Sequence, residues 1–262
     1  MNIFEIFLWF ITFSMIGWIW EVILYYITFH RYINRGFLNG PYCPIYGFGA
    51  LAFIFTTNQI PDPFLRGLAG GTIACILEYI TSFTLEKLFH ARWWDYSNRP
   101  LNLNGRICLY GFIIFGAAAA AMPWVSQPIM ILTNNIPEPA RTILSILLAV
   151  VIVMDVISTN RSLIKLNAAL RDYQKFIEHH TSHIINFIRR GKRAFEMRFD
   201  HNKKRGRAIL TYQQRRIIWA FPQLQSTRYN DALQEFRKMM ENNRLSRKNR
   251  KKWYNISNGE KI

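Results

Sequence analysis

Acidic side chains inside apolar segments are the residues of this sequence most able to do chemistry. Glu21 lies toward the end of the first apolar run, Glu78 near the middle of a later one, and Glu86 two turns beyond it. A charged group at the centre of a bilayer costs about 3 kcal/mol, so such residues mark ion or substrate paths by default. Pairing with a nearby arginine is the other use. We expect pairing for Glu86 and Asp155, and leave both roles open for Glu21 and Glu78.

The segments next to these runs are unusually polar and turn-rich. Residues 34–49 are dense in Gly and Pro, which set turns and allow close backbone approach. Residues 93–106 follow another run and combine Trp, Tyr, a carboxylate and several amides. Part of this is ordinary interface composition, because Trp and Tyr settle at headgroup depth. We nevertheless predict a polar vestibule, whose further candidate residues are Arg35, Asp95, Asn102, Asn104 and Arg106.

Catalytic and metal-binding patterns are missing from the sequence. It contains no Ser/His/Asp, Cys/His or HExxH arrangement, and its three cysteines lack metal-ligand spacing. His179, His180 and His183 could hold a metal on one helical turn, but we interpret them as polar-face residues. There is also no G-x-x-x-x-G-K-[ST] loop to bind ATP phosphates. We therefore expect no enzyme activity and no cofactor.

Long apolar runs must position these residues. A bilayer core needs roughly 20 apolar residues in a helix. Four runs satisfy this, at residues 3–29, 64–88, 107–132 and 142–158. A fifth run, at 44–57, is short and opens with Pro, so it either spans briefly or re-enters. The fold class predicted is an all-α polytopic membrane protein with about five spans in residues 1–160 and a basic helical cytoplasmic tail in residues 161–262.

Charge divides the chain in the same place. Residues 1–160 hold eight basic and eight acidic side chains, whereas residues 161–262 hold 25 basic and 8 acidic ones. The tail should therefore be cytoplasmic, since positive charge favours that side. Alternating spans then place six of the eight basic residues of the first 160 in the inner loops. This predicts a multi-pass protein of the cell membrane with its N-terminus outside and its C-terminus in the cytoplasm.

The tail itself begins with a heptad-like seam, formed by Leu163, Leu166, Leu170, Tyr173, Ile177, His180, Ile184 and Phe187. We therefore expect the last span to continue as a helix to about residue 190, followed by weaker amphipathic stretches near 208–224 and 231–245. Three partners suit such a tail. They are anionic lipid headgroups, a coiled-coil or docking partner, and nucleic acid, which is the least favoured because no recognition motif is present.

Small residues at intervals of four predict close helix packing. Gly67 and Gly71 form one such step, and Gly116 and Ala120 form another. Both packing within one chain and formation of a homodimer are open from the sequence.

Several motifs in order carry a family resemblance. They are Trp20-Glu21, residues 34–49, Leu77-Glu78-Tyr79, Trp94-Asp95-Tyr96-Ser97 and residues 102–109. Over roughly residues 10–160 the chain resembles a bacterial family of ABC-transporter permeases, type IV. The resemblance implies a permease-like subunit whose ATP-binding subunit is a separate polypeptide, with the substrate unknown. A non-transporting membrane scaffold or regulator, anchoring a tail that binds anionic lipid or a partner protein, is the alternative.

Overall fold

The computed structural model describes residues 2–187 and 210–241. Helix α1 spans Ile3–Phe29, α2 Pro44–Thr56, α3 Pro63–Phe89, α4 Leu109–Asn134 and α5 Glu138–Phe187. In the tail, α6 spans Tyr212–Ala220 and α7 covers residues 230–241. Strands β1 (Ala91–Arg92) and β2 (Gln225–Ser226) form the sheet as an antiparallel pair. The predicted all-α membrane fold is confirmed.

Local signals explain where the helices begin and end. Asn2 and Glu5 form a capping box at the start of α1, while Asp62 caps α3 ahead of a proline in its first turn. Helices α1 and α3 end in the same way, at His30 and His90, which adopt the left-handed conformation at φ 50° and 49°.

Within the described residues, four helices are long and apolar enough to cross a membrane: α1, α3, α4 and the first part of α5. Helix α2, at 13 residues, rises only about 20 Å, which is less than the roughly 30 Å of a bilayer core. The backbone N–H of Cys43 donates to the carbonyl of Ser14. Helix α2 therefore starts beside the middle of α1, about 22 Å from the end of α1 by helix rise.

The short fifth run is thus a half-length helix beside four long ones, which fits the expected total of about five. Residues 31–43 run as a loop from the end of α1 back to its middle, and α2 continues from there toward the opposite end of the bundle. The N-terminus of α1 lies beside the start of α5, where Arg141 pairs with Glu5 at 2.6 Å. The loops 30–43 and 90–108 lie at the other end of the bundle, together with the tail. We call this end the tail face.

Two apolar cores hold the molecule together. The bundle core joins α1 to α4 and contains Trp9, Phe13, Ala50, Phe53, Ile54, Ala74, Ala119 and Met122. The tail core joins the ends of α3 and β1 to α5, α6 and α7. Helix α5 is continuous from the last span into the tail, as predicted. Only 11% of its apolar membrane segment is buried within the chain.

The predicted seam of α5 faces the chain's own tail. Leu163, Leu166 and Leu170 are buried against Ile217 and Leu233, among others. These three leucines are therefore not available to a coiled-coil partner, because α6 and α7 already cover them. The side chains of His180, Ile184 and Phe187, and those of His179 and His183, lie outside the described residues.

Candidate functional site

Glu21 projects from α1 into a fully partnered site. Its carboxylate accepts a hydrogen bond from the Tyr46 hydroxyl at 2.7 Å and pairs with Arg35 at 3.3 Å. The Arg35 guanidinium also stacks on the Tyr25 ring and donates to the carbonyl of Ala220 in the tail. The charge of Glu21 is thus compensated inside the bundle.

Glu78 is buried in α3 without such compensation. Its side chain is 6% exposed, and its Oε2 atom is buried with no hydrogen-bond partner. The hydroxyl of Tyr96, in the loop after β1, hydrogen-bonds to the Glu78 side chain. Within the described part of the chain, no basic side chain lies at salt-bridge distance from it. Glu78 is therefore the intramembrane carboxylate whose burial cost the chain leaves largely uncompensated.

Glu86 and Asp95 belong to an ionic network nearer the tail face. The Glu86 carboxylate lies 2.8 Å from Arg106 and 3.4 Å from Arg92, and Arg92 reaches Asp95 at 3.9 Å. The hydroxyl of Ser97 donates to the Asp95 carboxylate and lowers the pKa of Asp95 below its usual value. This network is a structural set of paired charges at the helix ends.

The loop before α4 is shaped by its amides. Asn102 donates to the carbonyls of Ser97 and Arg99 and accepts from the N–H of Gly105. Asn104 donates to the Tyr79 hydroxyl at 2.9 Å. Gly105 has φ +68°, and an added Cβ would lie 2.5 Å from Asp95. Because these amide side chains are engaged with the loop and α3, they position the loop over the end of α3.

Asp155 corrects one sequence prediction. No arginine pairs with it among the described residues. Its carboxylate instead accepts from the backbone N–H groups of Asn39 and Gly40, at 3.1 and 2.8 Å. It also accepts from the side chains of Asn39 and Tyr42, both at 2.7 Å, and of Thr159 at 3.2 Å. Five donors thus replace a cation, and Asp155 clamps the entering loop to α5.

The tail contacts the same loop, residues 31–43, at the tail face. The buried Arg216 of α6 donates to the carbonyls of Asn34, Gly36 and Phe37. In α7, Arg237 donates to the carbonyls of Phe221 and Leu224. These arginines satisfy loop and helix-end carbonyls, so part of the tail's positive charge serves the fold itself.

The predicted glycine steps lie between α3 and α4. A Cβ added at Gly67 would lie 3.2 Å from the Gly116 carbonyl and 3.7 Å from Ala120. One added at Gly71 would lie 2.9 Å from the Phe112 carbonyl. These small residues therefore serve packing within one chain, and a dimer would have to use other surfaces.

An open polar cavity of about 320 Å³ lies where the tail meets the loop after β1. Its lining includes Asp95, Asn98, Gln223, Gln234 and Arg237. Asp95 therefore faces this outer cavity, whereas Glu21 and Glu78 lie deeper in the bundle. The candidate vestibule residues thus separate into an inner carboxylate pair and an outer ionic network.

Sequence reasoning missed the tyrosines of the inner pair. Tyr46 and Tyr96 lie in the motifs that carried the resemblance, but Tyr was interpreted there as an interface residue. For Tyr46 the signal is position, since a Tyr next to a glycine at the start of a helix can face a glutamate of the preceding helix. Arg216 was likewise counted only as tail charge.

Comparison with known proteins identifies one family. A family model with the description "Putative ABC-transporter type IV" matches residues 8–160, which is more than half of the 262-residue chain. No curated protein and no solved structure matched in the same comparisons. The match contains α1 from residue 8 onward, α2 to α4, the membrane part of α5, and both polar loops.

Proposed function

We propose, because this chain belongs to the ABC-transporter type IV family, that it is the permease subunit of an ATP-driven transporter. The 262 residues contain no P-loop sequence, so a separate polypeptide would supply the ATPase. The partner would bind at the tail face, where the tail forms a folded layer on the end of α3 and on α5. In this proposal the N-terminus is outside and the tail is in the cytoplasm.

One observation carries the proposal. Glu78 is an intramembrane carboxylate with a buried oxygen that no group of residues 2–187 and 210–241 satisfies. A scaffold needs no such group, and an unpaired carboxylate in a span is costly enough that it is a functional candidate. Glu21 lies close enough to act on Glu78 electrostatically. Together they form a polar centre among α1 to α4, suited to a path for a polar substrate.

The experiment is purification of the tagged full chain from its own host in mild detergent. We expect an ATP-binding polypeptide with a P-loop to copurify in fixed proportion, and the complex to hydrolyse ATP. Glu78→Gln should retain the partner and membrane insertion but lose the phenotype that the wild-type gene restores. The matched control is Glu138→Gln, which alters an exposed carboxylate at the opposite end of the bundle.

Full function of Glu78→Gln would remove the carboxylate from the mechanism. Absence of any ATP-binding partner would contradict the permease role and favour the second candidate function. That candidate is a membrane scaffold or regulator whose tail binds anionic headgroups or a protein partner. The observation in its favour is that the tail forms a packed layer with its own apolar core.

A further inference from the structure

The membrane half contains an internal repeat. Residues 38–48 read L-N-G-P-Y-C-P-I-Y-G-F, and residues 103–112 read L-N-G-R-I-C-L-Y-G-F. The two segments share L-N-G-x-x-C and Y-G-F, with one residue fewer between these parts in the second. In the structure each segment runs from a tail-face loop into a helix, and Cys43 and Cys108 are the N-cap residues of α2 and α4.

The preceding helices repeat as well. Helices α1 and α3 are both 27 residues long, and each ends at a histidine in the left-handed conformation. Both run toward the tail face, so α1–α2 and α3–α4 form two parallel units. In transporters built from such repeats, ion and substrate sites commonly lie between the units near the bilayer midplane.

Glu21 and Glu78 lie at similar levels of these units, nine residues before His30 and twelve residues before His90 respectively. Seven residues before each glutamate, a small residue meets the start of the following helix. Ser14 lies against Gly47 in the first unit, and Gly71 lies against Phe112 in the second. Each carboxylate faces the Y-G-F segment of its own unit, since Glu21 bonds to Tyr46 and Glu78 Oε2 lies 3.4 Å from the Cβ position of Gly111.

The two glutamates nevertheless differ in their partners. Glu21 has a positive charge beside it, supplied by Arg35 of the Asn34-Arg35 pair. The second unit has the corresponding pair Asn98-Arg99, but Arg99 lies over the Tyr110 ring at 5.8 Å. Comparison of the units thus identifies what Glu78 lacks, which is a cation.

A second unsatisfied atom lies one turn away. The Ser82 side chain is 2% exposed, and its Oγ atom is buried without a partner. Serines and threonines elsewhere in the spans usually donate to the carbonyl four residues earlier, as Ser14 and Thr72 do. Glu78 and Ser82 lie four residues apart on α3 and therefore on the same face. Two buried oxygens without a partner among the described residues thus lie one helical turn apart on the same face of α3.

We propose that Glu78 and Ser82, with the Tyr96 hydroxyl, bind a small monovalent alkali cation. Carboxylate and hydroxyl oxygens are ligands for hard cations. The site has one uncompensated negative charge, because Arg35 already neutralises Glu21, and so a single positive charge balances it. This inference does not depend on the transporter role, since the site belongs to the fold of the bundle.

The test uses the purified full-length chain in detergent. Its Tm is measured in sodium, potassium or lithium chloride against choline chloride at equal ionic strength. We expect at least one alkali cation to raise the Tm by several degrees in a saturable manner. Glu78→Gln and Ser82→Ala should each abolish or strongly reduce this shift. Glu86→Gln is the control, because it breaks an ion pair outside the site and should retain the shift.

Equal Tm values in all four salts would overturn the proposal. So would a shift of wild-type size in Glu78→Gln, or stabilisation by acid with no alkali-metal response, because Glu78 would then simply be protonated. Gln is close to Glu in shape and uncharged, so the variant should fold. Ser82→Ala provides an independent reading if it does not. Failure of this test leaves the copurification result for the permease intact, and the reverse also holds.

Discussion

At the scale of single residues, Asp155 shows how hydrogen bonds can hold a carboxylate that makes no salt bridge with any described residue. Its donors include two backbone N–H groups and the Tyr42 hydroxyl. Hydrogen bonds to charged groups contribute about 1.5–3 kcal/mol each, more than those between neutral groups. The clamp fixes the loop that carries Gly40 and Tyr42, and this loop leads directly into α2. Asp155 therefore determines how the half-length helix is seated, although it touches no residue of the inner carboxylate pair.

Replacing Asp155 by Asn should destabilise the protein by about 2–3 kcal/mol. The amide group carries no charge, and its NH2 would face N–H and O–H donors. We expect the Tm in detergent to fall by about 5 °C. The measurement is the temperature at which the buried thiols of Cys43 and Cys108 become reactive toward a maleimide on heating. Asp172→Asn is the control, since that exposed carboxylate lies further along α5. An unchanged Tm would show that the clamp contributes little.

At the scale of elements, the contact between α3 and α4 depends on small side chains. A Cβ added at Gly70 would lie 2.0 Å from the Cβ of Ala119, a side chain that cannot rotate away. The backbones of the two helices approach closely at Gly67 and Gly116. In lipid such approach is favoured by dispersion and not by the hydrophobic effect, so small residues matter more than apolar ones.

Gly70→Ala should therefore destabilise the bundle by about 1–3 kcal/mol through overpacking. Adding Ala119→Gly to the same chain should restore much of the loss, because it removes the clashing methyl group. The comparison variant is Gly49→Ala in α2, where an added Cβ meets nothing within 4 Å. That change should be neutral or slightly stabilising. If the double variant is no more stable than Gly70→Ala, the two helices are packed differently from this description.

At the scale of the whole molecule, charge and architecture divide the chain in the same way. The tail face contains both polar loops, where Arg35, Arg92 and Arg106 pair with carboxylates. The opposite end has Arg66, bound to three carbonyls, and Arg141, paired with Glu5. Positive charge in the loops and tail is thus concentrated on one face, which favours the cytoplasmic side.

Reporter fusions test this orientation directly. Fusions after Asn58, Tyr96, Glu138 and Lys261 should report outside, inside, outside and inside, because residues 31–56 form a crossing despite the short α2. A bundle in which α2 returned to the tail face would place the Asn58 fusion inside. An outside signal from the Tyr96 fusion would reverse the proposed orientation.

The properties predictable from sequence are those set by neighbouring residues. Hydropathy over about 20 residues decides whether a helix can lie in lipid. For that reason the bounds of α1 were predicted as observed, those of α3 and α4 within about two residues, and the continuation of α5 was correct. The family resemblance was also confirmed, since it depends on motifs that are contiguous in the chain. The internal repeat L-N-G-x-x-C is also a local pattern, but it was not among the sequence predictions.

Only the tertiary structure decided which groups meet. Tyr42 and Asp155 are 113 residues apart in sequence, and Arg216 lies 180 residues from Gly36. Local pattern cannot specify such pairs, because they depend on where distant segments fold. The covering of Leu166 by the tail and the depth at which α2 begins were decided in the same way. The unsatisfied Oε2 atom of Glu78 was decided in the same way, since an atom lacks a hydrogen bond only when no described neighbour in space reaches it.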